Sequence, residues 1–282
     1  MIAARPDLLV IGALTLDRFA DGSSSAGGSV MHIARAAAPR GMRVAVVTVA
    51  GPELAAQAGL EELRRLAARV EVTGADATAT FIHQDAPWGR RLWLERRGGS
   101  IRLPDLGPDT PPAILVAPIA DEVATADLVR LGPSQARAAI LQGYLRSVAA
   151  DGVVRPLPLS ALDPGVVTVL SQFDLLVASR EDLLGAATQP SDQLASLRHL
   201  VGPRPALMVT DGVDGVWAEG QHLAAPRVVE GVPNVGAGDI FAAFMLAGPW
   251  PRPVPGGFLR QRAEGAMLAV AEILEERSGP IR

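Results

Sequence analysis

Short apolar runs alternate with helix-period patterns along most of this chain, the arrangement expected of a mostly parallel sheet covered on both faces by helices. LLVIGAL (8–14) is an unbroken apolar run and predicts a buried strand, followed by a helix from about Ser29 to Ala38. MRVAVVTVAG (42–51) predicts the next strand and ELAAQAGLEELRRLAARV (53–70) the next helix. AILVAP (113–118), RAAILQG (137–143), DLLVAS (174–179) and PALMVT (205–210) predict further strands, with helix patterns at 191–201, 236–247 and 258–276.

One segment breaks this rhythm. TATFIHQDAPWGRRLWLERR (78–97) alternates apolar and polar positions on both sides of Pro-Trp-Gly and predicts an antiparallel hairpin. A lone hairpin is too small to be stable by itself, so it reads as a lid, an arm or a dimer contact on an α/β body. The Pro- and Gly-rich stretches 103–112 and 248–257 read as surface connections, and no internal repeat is visible. The expectation is one domain spanning 1–282 with 78–97 as a small β lid.

Composition narrows the chemistry. With 49% hydrophobic residues the chain can fill a continuous core, and a net charge of −4 offers no basic field for nucleic acid or anionic lipid. All 26 basic residues are arginine. Without lysine there is no Walker A loop and no Schiff-base chemistry, so any phosphate must be held by arginine, backbone N–H groups or a metal ion. The absence of cysteine removes disulfides and thiolate nucleophiles and is compatible with the cytosol. The stretch Leu8–Leu16 is too short to span a bilayer and has no signal-peptide cleavage pattern, so a soluble cytoplasmic protein is expected.

Three glycine-rich places can carry chemistry. In PNVGAGDIFAAFML (233–246), Gly236, Ala237 and Gly238 permit a tight turn at a helix N-terminus, where unpaired amides and the helix dipole make an anion site. Asp239 lies in the first turn, beside whatever anion binds, where a carboxylate repels the ligand unless it takes a proton from an attacking nucleophile. Equally, Asn234 can cap this helix and Asp239 complement its dipole. In VTDGVDGVWAEG (209–220), a strand ends at Thr210 and Gly212 and Gly215 follow three apart, either a plain hairpin turn or a place where backbone approaches a ligand. Asp17 follows the first strand and Gly27-Gly28 opens the next helix, a position at the carboxyl end of a strand where an acid can accept hydrogen bonds from a small polar ligand.

Taken in order, these pieces resemble the ribokinase-like (PfkB) family of small-molecule kinases, over nearly the whole length. VGAGDIF is similar to the family's D-T-x-G-A-G-D-x-F signature, VTDGVDGVW to its T-x-G-x-x-G segment, and AGGSVMHIARAAAPRGMRVAVVTVAG to its Gly-Gly signature and second strand. The resemblance implies a three-layer α/β/α fold with a mostly parallel sheet, and phosphoryl transfer from ATP–Mg²⁺ to a hydroxyl of a sugar, polyol or nucleoside. It implies Asp239 as the base, and the amides of Gly236, Ala237 and Gly238 as the anion hole. Asp17, Gly27, Gly28, His32 and Arg146 would face the acceptor, and Ser179, Thr210, Gly212 and Gly215 the nucleotide. The family's N-x-x-E element, which organises the magnesium hydration shell, falls on Ser179-Arg180-Glu181-Asp182, leaving Asp182 and Glu181 as competing carboxylates.

The match departs in places. Pro233 replaces the acid that opens the signature, Asn234 the threonine after it, and His32 the asparagine after Gly-Gly. SREDL together with QGYLR (142–146) is similar to a compact subgroup of these kinases, some resembling inositol kinases. The span between Asp17 and Gly27 is too short for the two lid strands many relatives place there, so the lid is expected to be reduced to the hairpin 78–97. Its exposed edges, with Phe81, Trp88 and Trp93, then suggest a homodimer contact. The competing reading is a sensor of the same fold that binds a sugar or nucleotide without turnover. A dinucleotide enzyme is excluded, because Gly12 is followed by Ala13, Leu14 and Thr15 where G-x-G-x-x-G is needed.

Overall fold

The computed structural model describes residues 5–86, 89–105, 107, 110–131, 136–183 and 189–278. In β1 (Leu8–Ile11), Leu8 and Val10 enter one apolar cluster while Leu9 and Ile11 enter another on the opposite face. That is how a continuous apolar run behaves when helices cover both faces of a sheet. The chain continues through β2 (Thr15–Phe19) and β3 (Ser24–Gly27) into α1 (Ser29–Ala37), then β4 (Val44–Ala50), α2 (Leu54–Leu66) and β5 (Arg69–Gly74). The expected hairpin is β6 (Ala79–Ala86) and β7 (Gly89–Arg96).

Beyond it lie β8 (Ala113–Val116), α3 (Thr125–Val129), β9 (Ala136–Ile140) and a short hairpin, β10 (Arg146–Val148) and β11 (Val154–Pro156). Next is α4 (Pro164–Leu170), which starts where Asp163 accepts from the amides of Gly165 (2.8 Å) and Val166 (3.1 Å), with proline at the first helical position. The remainder is β12 (Leu175–Ser179), α5 (Pro190–Val201), β13 (Ala206–Thr210), β14 (Val216–Ala218), β15 (Gln221–Leu223), α6 (Ala237–Met245) and α7 (Phe258–Ser278).

The nine-stranded sheet runs β15-β14-β13-β12-β9-β8-β1-β4-β5 and is parallel except at β14 and β15. One face packs on α1, α2, α6 and α7 through Val30, Leu60, Phe241 and Met267, the other on α3, α4 and α5 through Leu128, Leu170 and Leu197. These are the three layers the sequence implied. The order reverses between β1 and β8: the chain builds outward through β4 and β5, then returns to the other side of β1. In such sheets ligands bind at the carboxyl ends of the strands near that reversal.

Two expectations change. Residues 69–70 do not continue the helix predicted over 53–70. After Leu66 the chain turns into β5, parallel to β4. The lid is larger than a hairpin: β2 and β3 use the short span between the first strand and α1 to complete a four-stranded sheet, β3-β2-β6-β7. β2 runs parallel to β6 from Thr15↔Ala79 to Phe19↔His83, so it is held by a strand distant in sequence. Phe81 is buried within the lid's own small core with Ala79, Leu94 and Ile119. The outer edge of β7 is partly taken by the β10–β11 hairpin, through Leu94 N–H to Gly152 O (2.9 Å) and a bridge between Trp93 and Val153. Trp88 lies outside the described residues. Among those residues, no helix is long and apolar enough to cross a membrane.

Candidate active site

The surroundings of Asp239 are built from the start of α6. Gly236 sits at its N-cap with φ 82° and ψ 0°, the left-handed region that side chains disfavour. A Cβ there would also lie 2.3 Å from the ring of His32, which packs on this turn from α1. Asn234 contributes its carbonyl, which accepts from Ala237 N (3.0 Å), and the helix has no side-chain cap. The first helical bond is Ile240 N–H to Gly236 O at 3.0 Å. Among the described residues, the Gly238 and Asp239 amides therefore find no backbone acceptor, and they lie at the positive end of the helix dipole. The Ala237 amide, expected in the same anion hole, is engaged by Asn234.

Asp239 is buried, and Ser29 Oγ donates to its Oδ1 at 2.8 Å, tying the N-terminus of α1 to that of α6. Burial pushes its carboxyl up to about 6, against the pull of the Ser29 hydrogen bond and the Arg146 guanidinium, and with further upward push from Asp182 and Asp17. Four charged groups from four separate segments thus meet at the carboxyl ends of the strands. This is the environment of a carboxylate set to take and release a proton near neutral pH.

Arg146 follows the turn after β9, and its Nε lies 3.6 Å from Asp182 Oδ1. With its amide oxygen turned inward, Gln142 accepts from the same guanidinium. Ser179, at the end of β12, donates to Asp182 Oδ2 (2.7 Å) and accepts from Asp182 N (3.1 Å), so its hydroxyl fixes the turn that presents Asp182. The hard oxygens of Asp182, close enough to Asp239 to push its carboxyl up, suit a magnesium ion that keeps most of its waters and takes further ligands from phosphate. Glu181 is exposed, and among the described residues no group of three or more metal-ligating side chains is assembled. The residues fit an ion held by one carboxylate and its ligand's phosphates, rather than a closed cage.

Thr210 and the glycines expected to face a nucleotide lie at and beyond the end of the neighbouring strand, β13. Thr210 pairs in register with Ser179, and its Oγ1 donates weakly to Ala178 O at 3.4 Å. Gly212 opens the turn with free space around its α-carbon, and Val213 is exposed. Gly215 is pressed against the chain leaving β15: a Cβ there would lie 2.2 Å from Leu223 O. Asp211 is bound to Arg180, Nη1 to Oδ1 at 3.1 Å, where β12 and β13 end.

On the opposite side, Asp17 is buried in the lid strand β2 and accepts from Thr15 Oγ1 at 3.1 Å. It lies directly over Gly27, where an added Cβ would stand 2.0 Å from Asp17 Oδ2. Gly28 then turns the chain into α1. His83 of β6 brings its Nε2 to 3.3 Å from Asp17 Oδ1, without the angle of a hydrogen bond. Buried Glu122 accepts from the amides of Ala13 (3.0 Å), Ile119 (2.9 Å) and Ala120 (2.8 Å). It joins the segments leaving β1 and β8. Burial pushes its carboxyl up, while those amides pull it back.

The sequence reading missed Ser29, His83 and Glu122. A signal for His83 existed: it shares the inward alternation of Ala79 and Phe81 in the predicted hairpin. Nothing local marked Ser29 as a partner of Asp239, which is 210 positions away.

No protein-family model matches the sequence, and no curated protein matches it. Solved structures do match. A pyrophosphate-dependent kinase in the ribokinase family, complexed with a pyrophosphate analogue and myo-inositol, is 15% identical, with 95% of this chain and 94% of that one covered and a TM-score of 0.75. Ribokinase from Cryptococcus neoformans in complex with ADP gives 18% identity, coverage of 96% and 94%, and a TM-score of 0.66. Fructokinase from Vibrio cholerae in its fructose-, ADP- and calcium-bound form gives 15% identity, coverage of 95% and 91%, and a TM-score of 0.68. With its nine-stranded sheet, two helical layers and β lid aligned to these kinases over almost its whole length, the chain has the ribokinase fold.

Proposed function

We propose that the chain transfers a phosphoryl group from ATP–Mg²⁺ to a hydroxyl of a small sugar, polyol or nucleoside. The observation that carries this reading is Asp239: a buried carboxylate with its pKa raised to about 6, placed beside unpaired helix amides. Asp239 takes the proton of the attacking hydroxyl, and the Ser29 hydroxyl, donating to Oδ1, orients the carboxylate. The amides of Gly238 and Asp239, with Arg146, face the charge on the transferring group, where fixed donors in a site shielded from water stabilise it most. Asp17 accepts from acceptor hydroxyls above Gly27 and Gly28, and His32 braces the Gly236 turn.

Ser179, Thr210, Gly212 and Gly215 flank the donor side. Asp182, with Glu181 at the rim, would hold the magnesium ion, which when bound neutralises phosphate oxygens. The described kinases of this fold, which carry ADP, fructose or myo-inositol, support the same class of reaction. Small hydroxylated metabolites are then the expected partners, with a cytoplasmic location and a homodimer through the lid as further expectations.

A phosphate-donor consumption screen against sugars, polyols and nucleosides tests this, with ATP and pyrophosphate run side by side because three of the matching structures are of pyrophosphate-dependent kinases. A phosphorylated product formed from ATP, and lost in Asp239→Asn, is expected. Turnover that persists undiminished in Asp239→Asn would overturn the assignment. Acceptor binding without product from either donor would favour the sensor.

A further inference from the structure

His83 is a buried side chain whose two ring nitrogens have no hydrogen-bond partner among the described residues. Leaving such groups unpaired inside a protein costs on the order of 1–3 kcal/mol each, so a buried imidazole in that state calls for a partner, either a buried water or a ligand. Its surroundings favour the second. The ring packs on one neighbour: it lies 5.2 Å from the Phe19 ring, tilted by 30°, on paired positions of β2 and β6. Nε2 is 3.3 Å from the Asp17 carboxylate, the group placed to receive acceptor hydroxyls.

The two side chains are chemically complementary. An ionised carboxylate only accepts, whereas an imidazole offers an N–H donor and, when neutral, an acceptor on its other nitrogen. Side by side, they match two adjacent hydroxyls on one molecule. One hydroxyl donates to Asp17, and the oxygen of its neighbour accepts from His83. Both come from the lid sheet, so an acceptor that engages the pair also ties itself to the lid.

We propose that His83 is a specificity-determining residue, and that with Asp17 it selects uncharged acceptors carrying vicinal hydroxyls over their deoxy analogues. The proposal rests on the kinase reading for the meaning of "acceptor", but its test does not require turnover. Calorimetric titration of the full chain with D-ribose, 2-deoxy-D-ribose, myo-inositol and monodeoxy cyclitols measures binding alone. The wild type is expected to bind at least one diol about tenfold or more tighter than its deoxy partner, as for loss of a paired buried hydrogen bond. His83→Leu is expected to bind both members of that pair within about twofold of each other, and His83→Gln to restore part of the preference.

In steady-state assays the same substitution is expected to raise the acceptor KM while leaving the ATP KM unchanged. If His83 is only a packing residue, His83→Leu lowers thermal stability while the diol-to-deoxy ratio persists, and the proposal fails. It fails equally if the wild type shows no preference, or binds none of the four probe types. If diols bind selectively, His83→Leu abolishes that selectivity and no product forms from ATP or pyrophosphate, the kinase reading falls and the assignment of His83 stands.

Discussion

Replacing Asp239 by asparagine should inactivate the protein and make it more stable at the same time. Asparagine keeps the shape and the oxygen that accepts from Ser29 Oγ at 2.8 Å, but removes a charge that burial disfavours. The folded-state pKa of about 6 lies above the ordinary 3.8. At 1.36 kcal/mol for each pKa unit, holding the ionised form in the folded state costs about 3 kcal/mol. The direction follows from linkage. Above pH 6 the carboxylate is charged in both folded and unfolded chains, and only the folded chain bears the cost. Below pH 4 it is protonated in both, and the cost vanishes.

Asp239→Asn should therefore be about 3 kcal/mol more stable than the wild type at pH 8. The gain should shrink by about 1.4 kcal/mol per pH unit as pH falls from 6, and approach zero near pH 4. For 282 residues that corresponds to about 5 °C in Tm at the high-pH end. Urea unfolding of both proteins across pH 4–8 measures it, alongside activity, which should fall by roughly 10²–10⁴. A variant less stable than the wild type at pH 8, or a gain independent of pH, would refute the picture of Asp239 as a desolvated carboxylate.

Three further outcomes follow from the same geometry. Ser29→Ala removes the hydrogen bond that holds the Asp239 carboxyl down, so the acid limb of kcat/KM should move up by about one pH unit, read from a pH–rate profile. Glu122→Ala strands the amides of Ala13, Ile119 and Ala120, and should lower stability by about 3 kcal/mol or more in urea unfolding at pH 7. Gly27→Ala puts a methyl group where Asp17 Oδ2 now sits; displacing the carboxylate should raise the acceptor KM tenfold or more, with the ATP KM little changed.

Much of the body was legible because its strands are buried on both faces. Leu8–Ile11, Val44–Ala50 and Leu175–Ser179 are apolar runs, interrupted only by Thr48 and ended by Ser179, and each run alone excludes a solvated segment. β2 and β3 were not legible. Ser24–Gly27 is polar and small, and it forms a strand because β2 offers it a ladder, not because of its own pattern. β5 was absorbed into the preceding helix because Leu63, Leu66 and Val70 continue a helical spacing across the real boundary. Asp17, Asp239 and the glycines around them could be found because backbone geometry constrains them locally. Ser29, His83 and Glu122 acquire their roles only through partners brought from distant segments, which no single-sequence pattern encodes.

The central claim is that Asp239 acts as the base in phosphoryl transfer, and the pH dependence of kcat/KM for the best acceptor tests it most directly. With ATP–Mg²⁺ saturating and the acceptor varied, activity should fall tenfold per unit below an apparent pKa of about 6, because only the ionised carboxylate accepts the proton. The residual activity of Asp239→Asn should show no such limb. A wild-type profile that stays flat down to pH 5, or a variant that keeps the same limb, would contradict the account.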